Sequence, residues 1–313
     1  MRYYYAPLEG ITDATFRRLH HKYFPDVDKY FMPFLSPTIH RCLTNREERE
    51  LPRANSVGFA AVPQLLGKNT DDMLWAIEVC RDQGYDEVNI NLGCPSGTVV
   101  SKGKGSGMLS DIYALDEFLS TIYAKAVLPV SLKTRIGVND SDNWEKLLEI
   151  YRDYPVKELT VHPRIRKAFY KGDCDMEAFA RAVESSPFPV CYNGNVCSME
   201  DARKIAKRFP AVESIMIGRG LVADPGMLCG GTDRETLKAF LGELSDTYCT
   251  VFGSKRNAIY RMKDNWHYLI ALFDGCDKLW KEMRKSTDYD RFIAIANEII
   301  TTLPMRERPE MIW

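Results

Sequence analysis

Paired cysteines are missing from this chain. It has nine Cys, an odd count, with no Cys-x-x-Cys pair and only five His among 313 residues. The ligand spacing of a zinc site is therefore absent, and no metal is expected. Net charge is missing too: 42 Lys and Arg against 43 Asp and Glu leave −1, which argues against a general polyanion binder. No apolar run approaches the roughly 20 residues of a bilayer-spanning helix, so no membrane partner is expected. Internal repeats and low-complexity segments are absent. The first strand-like run begins at residue 2 or 3, which leaves no room for a signal peptide and points to a reducing cytoplasm. A monomer is expected.

What is present is a series of short apolar runs with polar and Gly-rich ends. Arg2–Tyr5 leads into Ala6-Pro7-Leu8-Glu9-Gly10, and Gly58 to Pro63 into Gln64-Leu65-Leu66-Gly67. Glu87–Ile90 leads into Asn91-Leu92-Gly93-Cys94-Pro95-Ser96, and Pro129–Leu132 into Lys133-Thr134-Arg135. Glu158–Val161 ends in His162-Pro163-Arg164, Pro189–Tyr192 in Asn193-Gly194-Asn195, and Ser214–Ile217 in Gly218-Arg219-Gly220. With Lys29–Met32, these make eight candidate strands. Cys94, between Gly93 and Pro95, sits on a turn at a strand's C-terminal end. Alone it reads as readily as a buried apolar thiol; its company makes it a candidate reactive group.

The spacers look helical. Thr70-Asp71-Asp72, Ser110-Asp111, Ser141-Asp142 and Ser198 to Asp201 each precede apolar residues at helical spacing, and their side chains can accept from orphan amides. Short buried strands alternating with helices indicate a parallel sheet. Eight of them, with polar residues at every C-terminal end, fit a (β/α)8 TIM barrel, whose active site occupies that face. An open doubly wound sheet is the alternative, but Tyr5-Ala6-Pro7-Leu8 is not the Gly-rich turn its first strand needs. Gly103, Gly105 and Gly107 lie well past their strand and read as a mobile flap. The 45% hydrophobic content supports a barrel plus a small extra domain.

After Gly220 only helical patterns follow. Leu237, Phe240, Leu241 and Leu244 share one face, Trp266, Leu269, Ile270 and Phe273 another, and Phe292, Ile293, Ala296, Ile299 and Ile300 a third. The expected division is a barrel over residues 1–240 and a helical domain over 241–313. Residues 250–313 carry eleven Lys and Arg against nine Asp and Glu. Lys255, Arg256, Arg261 and Lys263 cluster with Tyr260 and Trp266, and Arg164, Arg166, Lys167 and Lys171 lie beside Phe169 and Tyr170. Taken alone, such clusters are solvated faces.

The segments APLEGITD (6–13), QLLG (64–67), NINLGCPS (89–96), LKTRIG (132–137), His162 to Gly172, NGNV (193–196) and IGRG (217–220) together resemble the tRNA-dihydrouridine synthase family. The resemblance implies FMN, recharged by NADPH, and reduction of tRNA uridines to 5,6-dihydrouridine. It places Ala6, Pro7 and Leu8 against the flavin ring and Gln64 at its polar edge, where an amide both donates and accepts. Lys133 becomes the cation near the pyrimidine end of the flavin, and His162 a further contact. Asn193, Gly194, Asn195, Gly218 and Arg219 would hold the ribityl phosphate, in agreement with the usual phosphate site of such barrels. Taken singly, Lys133 could be a snorkelling lysine, Gln64 a loop cap and His162 a core histidine.

In this assignment hydride from reduced FMN adds to C6 of uracil and Cys94 protonates C5. An unperturbed thiol, with a pKa of about 8.5, is protonated at neutral pH and can donate. Asn91 and Arg135 would orient the base, which must be extruded from the tRNA; the helical domain would grip RNA by phosphate and shape. Two positions depart from the family pattern. Pro163 stands where many members have Gly and removes an amide donor, and Asn195 stands where Asp is frequent. No segment of the helical domain matches, so the target uridine is unreadable. The alternatives are another FMN barrel enzyme, such as a dihydroorotate dehydrogenase, and an RNA-binding protein that has lost its chemistry.

Overall fold

A computed structural model describes residues 1–310; the last three residues of the expected helical domain, 311–313, lie outside the described residues. Nine parallel β segments are present: β1 (Arg2–Tyr5), β2 (Lys29–Phe31), β3 (Ala61–Val62), β4 (Gln64–Leu65), β5 (Val88–Leu92), β6 (Val130–Arg135), β7 (Leu159–His162), β8 (Val190–Tyr192) and β9 (Ser214–Ile217). Their order is β3-β2-β1-β9-β8-β7-β6-β5-β4. The two ends of that order are halves of one run, split at Pro63. Proline has no N–H for the ladder, although its carbonyl still accepts from the Asn89 amide at 2.9 Å. β3 pairs with β2 through Phe31↔Val62, and β4 with β5 through Gln64↔Asn89. The sheet therefore closes as the expected eight-fold barrel. The third strand reaches two residues further than its apolar run, through Gln64 and Leu65.

The four expected helices are present as Thr70–Asp82, Ile112–Lys125, Trp144–Arg152 and Met199–Arg208. Asn69, not Thr70, caps the first by accepting from Asp72 N at 3.0 Å, while Asp111 caps the second as expected. Two further helices, Ala14–Tyr23 and Met176–Ser185, follow β1 and β7.

Strand periodicity of two sends alternate side chains into the barrel. Tyr4, Ala6, Phe31, Val62, Cys191 and Met216 meet there as an apolar plug. Below it, near the N-terminal strand ends, Glu87 is held by Lys29 at 3.1 Å and Lys157 at 2.9 Å. Glu158 accepts from Tyr4 Oη at 3.2 Å and Ser214 Oγ at 2.8 Å, and burial pushes its carboxyl above the usual range. This end is closed by paired ions and packed rings.

Two compact units divide the chain. The first comprises Met1–Pro7, Asp28–Asn195 and Lys204–Met216; the second comprises Leu8–Val27, Val196–Arg203 and Ile217 onward. Within the second, Phe240 lies 5.7 Å from the Phe16 ring and 5.6 Å from that of Phe24, both edge-on. The first helix is thus joined to the C-terminal ones by aromatic packing. The expected 240/241 boundary falls inside the helix Arg234–Val251, which starts from its Asp233 cap. Among the expected apolar residues of this region, Leu237, Leu241, Leu244, Trp266, Leu269, Phe273, Phe292, Ala296, Ile299 and Ile300 are buried, and Ile293 is half-buried.

Candidate active site

In the first unit, β4, β5 and β6 present polar side chains at alternate positions. A chain of amides links them. Gln64 Nε2 donates to Asn89 Oδ1 at 2.8 Å, Asn91 Nδ2 donates to Gln64 Oε1 at 2.7 Å, and Asn89 Nδ2 donates to Ser131 Oγ at 3.0 Å. Ser131 Oγ donates in turn to Glu87 Oε1 at 2.7 Å. The network runs from the ionic plug to the C-terminal mouth through fully buried Gln64 and Asn89. Asn89 was not among the expected site residues. Its signal is the alternation Glu87, Asn89, Asn91 within an otherwise apolar strand.

Asn91 also builds the Cys94 turn. Its Oδ1 accepts from the amides of Gly93 at 2.9 Å and Cys94 at 2.8 Å. An Asx-type bond of this kind fixes a turn without secondary structure. Gly103 to Gly107 is not a free flap: Gly105 to Leu109 are buried. Ser106 donates to the Cys94 carbonyl through Oγ at 2.7 Å and through its amide at 3.2 Å. Gly105 has φ +58, and a Cβ there would approach Cys94 Cβ to 3.0 Å. Glycine here serves close packing beneath the cysteine.

β6 contributes Lys133 and Arg135, two residues apart and so on one face. Lys133 is half-buried and has no hydrogen-bond or ion-pair partner among the described residues. Burial, and then the neighbouring Arg135 charge, push its ammonium from 10.5 down to about 8; the Cys191 and Cys94 thiols also act on it. An unpaired cation inside a barrel is a binding group for an anionic or electron-rich ligand edge. Arg135 is buried and braces the turn: Nε donates to Gly93 O at 2.9 Å, and Nη1 to Ile165 O at 3.1 Å and Phe169 O at 2.7 Å. Its guanidinium lies 5.3 Å from the Tyr170 ring centroid.

His162 closes β7. Arg164 Nη1 lies 2.9 Å from its Nε2. A guanidinium only donates, so Nε2 accepts and Nδ1 carries the ring proton. Arg164 itself is buried and donates through Nη2 to Gly172 O at 2.6 Å. That removes it from the surface basic cluster in which its sequence neighbours place it. Asn193 donates through Nδ2 to Met216 O at 2.8 Å, while Gly194 and Asn195 are half-buried on the segment that follows. Ala6 is buried in the barrel plug, and Pro7 is half-buried beyond it.

The remaining expected residues belong to the second unit. Leu8 starts a tight turn, its amide donating to Thr12 Oγ1 at 2.9 Å and its carbonyl accepting from Ile11 and Thr12 amides. Gly218 precedes the short helix Arg219–Ala223, and the Arg219 charge acts on the Cys197 thiol. Among the described residues no group of three His, Cys, Asp or Glu is placed to hold a metal. No helix of the described chain is long and apolar enough to cross a membrane.

A model of the dihydrouridine synthase (Dus) family matches residues 4–298. The chain belongs to the dihydrouridine synthase family. It is an oxidoreductase, and the dihydroorotate dehydrogenase alternative is set aside. Among its relatives is tRNA-dihydrouridine synthase B of Pasteurella multocida (strain Pm70), 28% identical over 276 residues, 88% of this chain and 80% of that protein. Another is probable tRNA-dihydrouridine synthase 1 of a Synechocystis species, 31% identical over 222 residues, covering 70% of this chain and 61% of that one. The structure of morphinone reductase superposes on 72% of this chain and 84% of its own with a TM-score of 0.52 at 11% identity, which reflects the shared barrel alone.

In this synthase Lys133 generates a pH signature. Its protonated form is disfavoured in the folded, ligand-free protein but not in the unfolded chain. The penalty is therefore present at neutral pH and fades as pH rises through about 8 toward 10.5. Lys133→Met is expected to raise the melting temperature of the ligand-free protein at pH 7 and to flatten the gain in stability between pH 7 and 9. Scanning calorimetry of both proteins at the two pH values checks this, and a lower melting temperature for the variant at pH 7 would contradict it.

Proposed function

We propose that the chain reduces particular uridines of tRNA to 5,6-dihydrouridine, with FMN as its cofactor and NADPH as the reductant, acting as a monomer in the cytoplasm. The observation that carries this reading is the Asn91-built turn, which presents Cys94 beside Lys133 and Arg135 at the C-terminal mouth of the barrel. When bound and reduced, FMN supplies a hydride to C6 of the uracil ring.

The donor set suits that cofactor. Lys133, with no protein partner and its charge disfavoured by burial, gains most from an electron-rich flavin edge. Gln64 keeps one N–H and one lone pair beyond its two bonds to Asn89 and Asn91, the complement an edge of alternating donors and acceptors needs. His162 would approach through Nδ1–H. Ala6, Pro7 and Leu8 on the segment after β1, Asn193, Gly194 and Asn195 after β8, and Gly218 and Arg219 after β9 are assigned to the flavin plane and its phosphate by their motif positions. Backbone amides there serve a phosphate whatever the side chain, so Asn195 in place of Asp is tolerated.

Hydride addition at C6 leaves an electron pair on C5 that is delocalised onto the C4 carbonyl. The Cys94 thiol gives its proton to C5, and the resulting thiolate is stabilised by the neighbouring Lys133 cation until solvent reprotonates it. Asn91 positions both the thiol and Gln64, and Arg135 holds the turn against the loop after β7. One hydride and one proton saturate the C5–C6 bond, and the cysteine ends the cycle as it began.

For tRNA, the division between a catalytic barrel over residues 1–240 and an RNA-binding region over 241–313 remains the proposal. On the helix Lys255–Leu269, Arg256, Tyr260, Lys263 and His267 recur at helical spacing and form one stripe. Tyr260 is exposed, and Lys263 Nζ sits 5.6 Å from its ring centroid. Arg261 points elsewhere, donating to Gly10 O at 3.2 Å and lying over Phe252. Lys255 pairs with Asp290 at 3.3 Å. Lys263 Nζ donates to Ser286 O at 2.6 Å and keeps two further N–H donors on the stripe, so phosphate contacts are assigned to Arg256 and Lys263.

Mass spectrometry of tRNA from a strain lacking the gene is expected to show the loss of dihydrouridine at defined positions, and an unchanged dihydrouridine complement would refute the assignment. Substituting Arg256 and Lys263 together by Gln is expected to lower the slope of log affinity against log salt by about two, since each phosphate contact contributes about one. A slope equal to that of the wild type would leave the stripe as a solvated face.

A further inference from the structure

The loop after β7 carries a residue whose conformation and exposure have no account in stability. Phe169 has φ 51 and ψ −100, a backbone region that residues with a Cβ rarely adopt and bulky ones least of all. The residue is 43% exposed. A phenylalanine kept at a strained position without a core to fill marks a functional constraint. Glycine or asparagine would make the same turn at lower strain.

The loop around it is rigidly built. Arg166 N donates to Gly137 O and Lys167 N to Val138 O, each at 2.9 Å. The Phe169 carbonyl is held by Arg135 Nη1 at 2.7 Å, and the Nε of the same guanidinium holds Gly93 O at 2.9 Å. One side chain therefore ties Phe169 to the turn that carries Cys94. Arg166 makes a second tie: its Nε reaches Pro95 O at 3.3 Å, and its guanidinium lies 5.4 Å from the Phe169 ring centroid. The adjacent Tyr170 stacks on His162 at 6.0 Å with an interplanar angle of 25° and lies beneath Arg135. Tyr170 is equally exposed, at 47%, but its ring is already stacked on His162 and Arg135, and of the two only Phe169 has a backbone of positive φ.

The surroundings select the partner. Between residues 163 and 173 the basic residues Arg166, Lys167 and Lys171 are exposed or half-buried, Arg164 is buried, and Asp173 is the single carboxylate. An exposed aromatic ring on a braced backbone with a basic rim is the arrangement that stacks an unpaired base while cations meet its phosphates.

We infer that Phe169 is a stacking platform for an unpaired nucleobase of the RNA substrate, one that flanks the uridine presented to Cys94. This rests on the tRNA reading. The nearby extruded uridine leaves a neighbour without its stacking partner, and the Phe169 ring replaces that partner and so fixes the depth to which the uridine enters.

The test compares Phe169→Gly, Phe169→Asn and Phe169→Trp with the wild type, using unmodified tRNA transcript in equilibrium binding and melting temperature as the control for folding. Stacking on one aromatic is worth about 5- to 150-fold in affinity. The Gly and Asn variants are expected to bind the transcript more weakly by a factor in that range while melting no lower than the wild type, because both tolerate positive φ. The Trp variant is expected to retain affinity. Wild-type affinity in the Gly and Asn variants would overturn the inference alone, and so would a melting temperature lowered as for a core phenylalanine. Failure of the wild-type protein to bind tRNA would overturn the tRNA reading and this inference together.

Discussion

The carboxamide of Asn91 is the constraint on which the site depends. Its oxygen receives the amides of Gly93 and Cys94, and its nitrogen grips Gln64. A cysteine between Gly and Pro has no strand or helix to hold it, and two amides bonded to one buried oxygen replace that support. Because the bonds leave from the interior face of β5, the position of the thiol is coupled to the barrel wall. The Gly105 to Ser106 backbone beneath it and the Arg135 guanidinium above it complete a turn fixed on three sides.

The two ends of the barrel treat charge in opposite ways. At the N-terminal end Glu87 is neutralised by Lys29 and Lys157, and Glu158 has Tyr4 and Ser214 as donors. At the C-terminal mouth Lys133 and Arg135 lie close together, and neither has a carboxylate partner among the described residues. A buried and a half-buried cation without an anion are unfavourable in the protein by itself. They become favourable once a ligand brings negative charge or electron-rich oxygen. The strained Phe169, pinned by the same Arg135, belongs to this pattern of local cost kept for binding.

Much of this was legible in the sequence. The strands were readable because each is a short apolar run with a polar end, and only the third was misjudged, where Pro63 interrupts the ladder and hides its continuation through Gln64 and Leu65. The positions of Cys94, Lys133, Arg135 and His162 at or just after the C-terminal strand ends were readable from their places after those runs. What was not legible depends on contacts between distant segments. Gly103 to Gly107 suggested mobility, but the segment packs against Cys94. Arg164 looked like a surface base, but it turns inward to His162. The cluster at Lys255 to Lys263 was compact along the chain, yet helical geometry separates Arg261 from the stripe of Arg256 and Lys263. Composition and spacing do not encode such side-chain directions; packing decides them.

Cys94 is the proposed proton donor to C5. Stopped-flow spectroscopy of Cys94→Ala tests this role most directly, because flavin bleaching by NADPH and reoxidation on unmodified tRNA are observed as separate phases. Bleaching is expected at the wild-type rate, since that step does not involve the thiol. Reoxidation is expected to slow by roughly 10²–10⁴, the worth of a positioned general acid. Reoxidation of the alanine variant by tRNA at the wild-type rate would contradict this role.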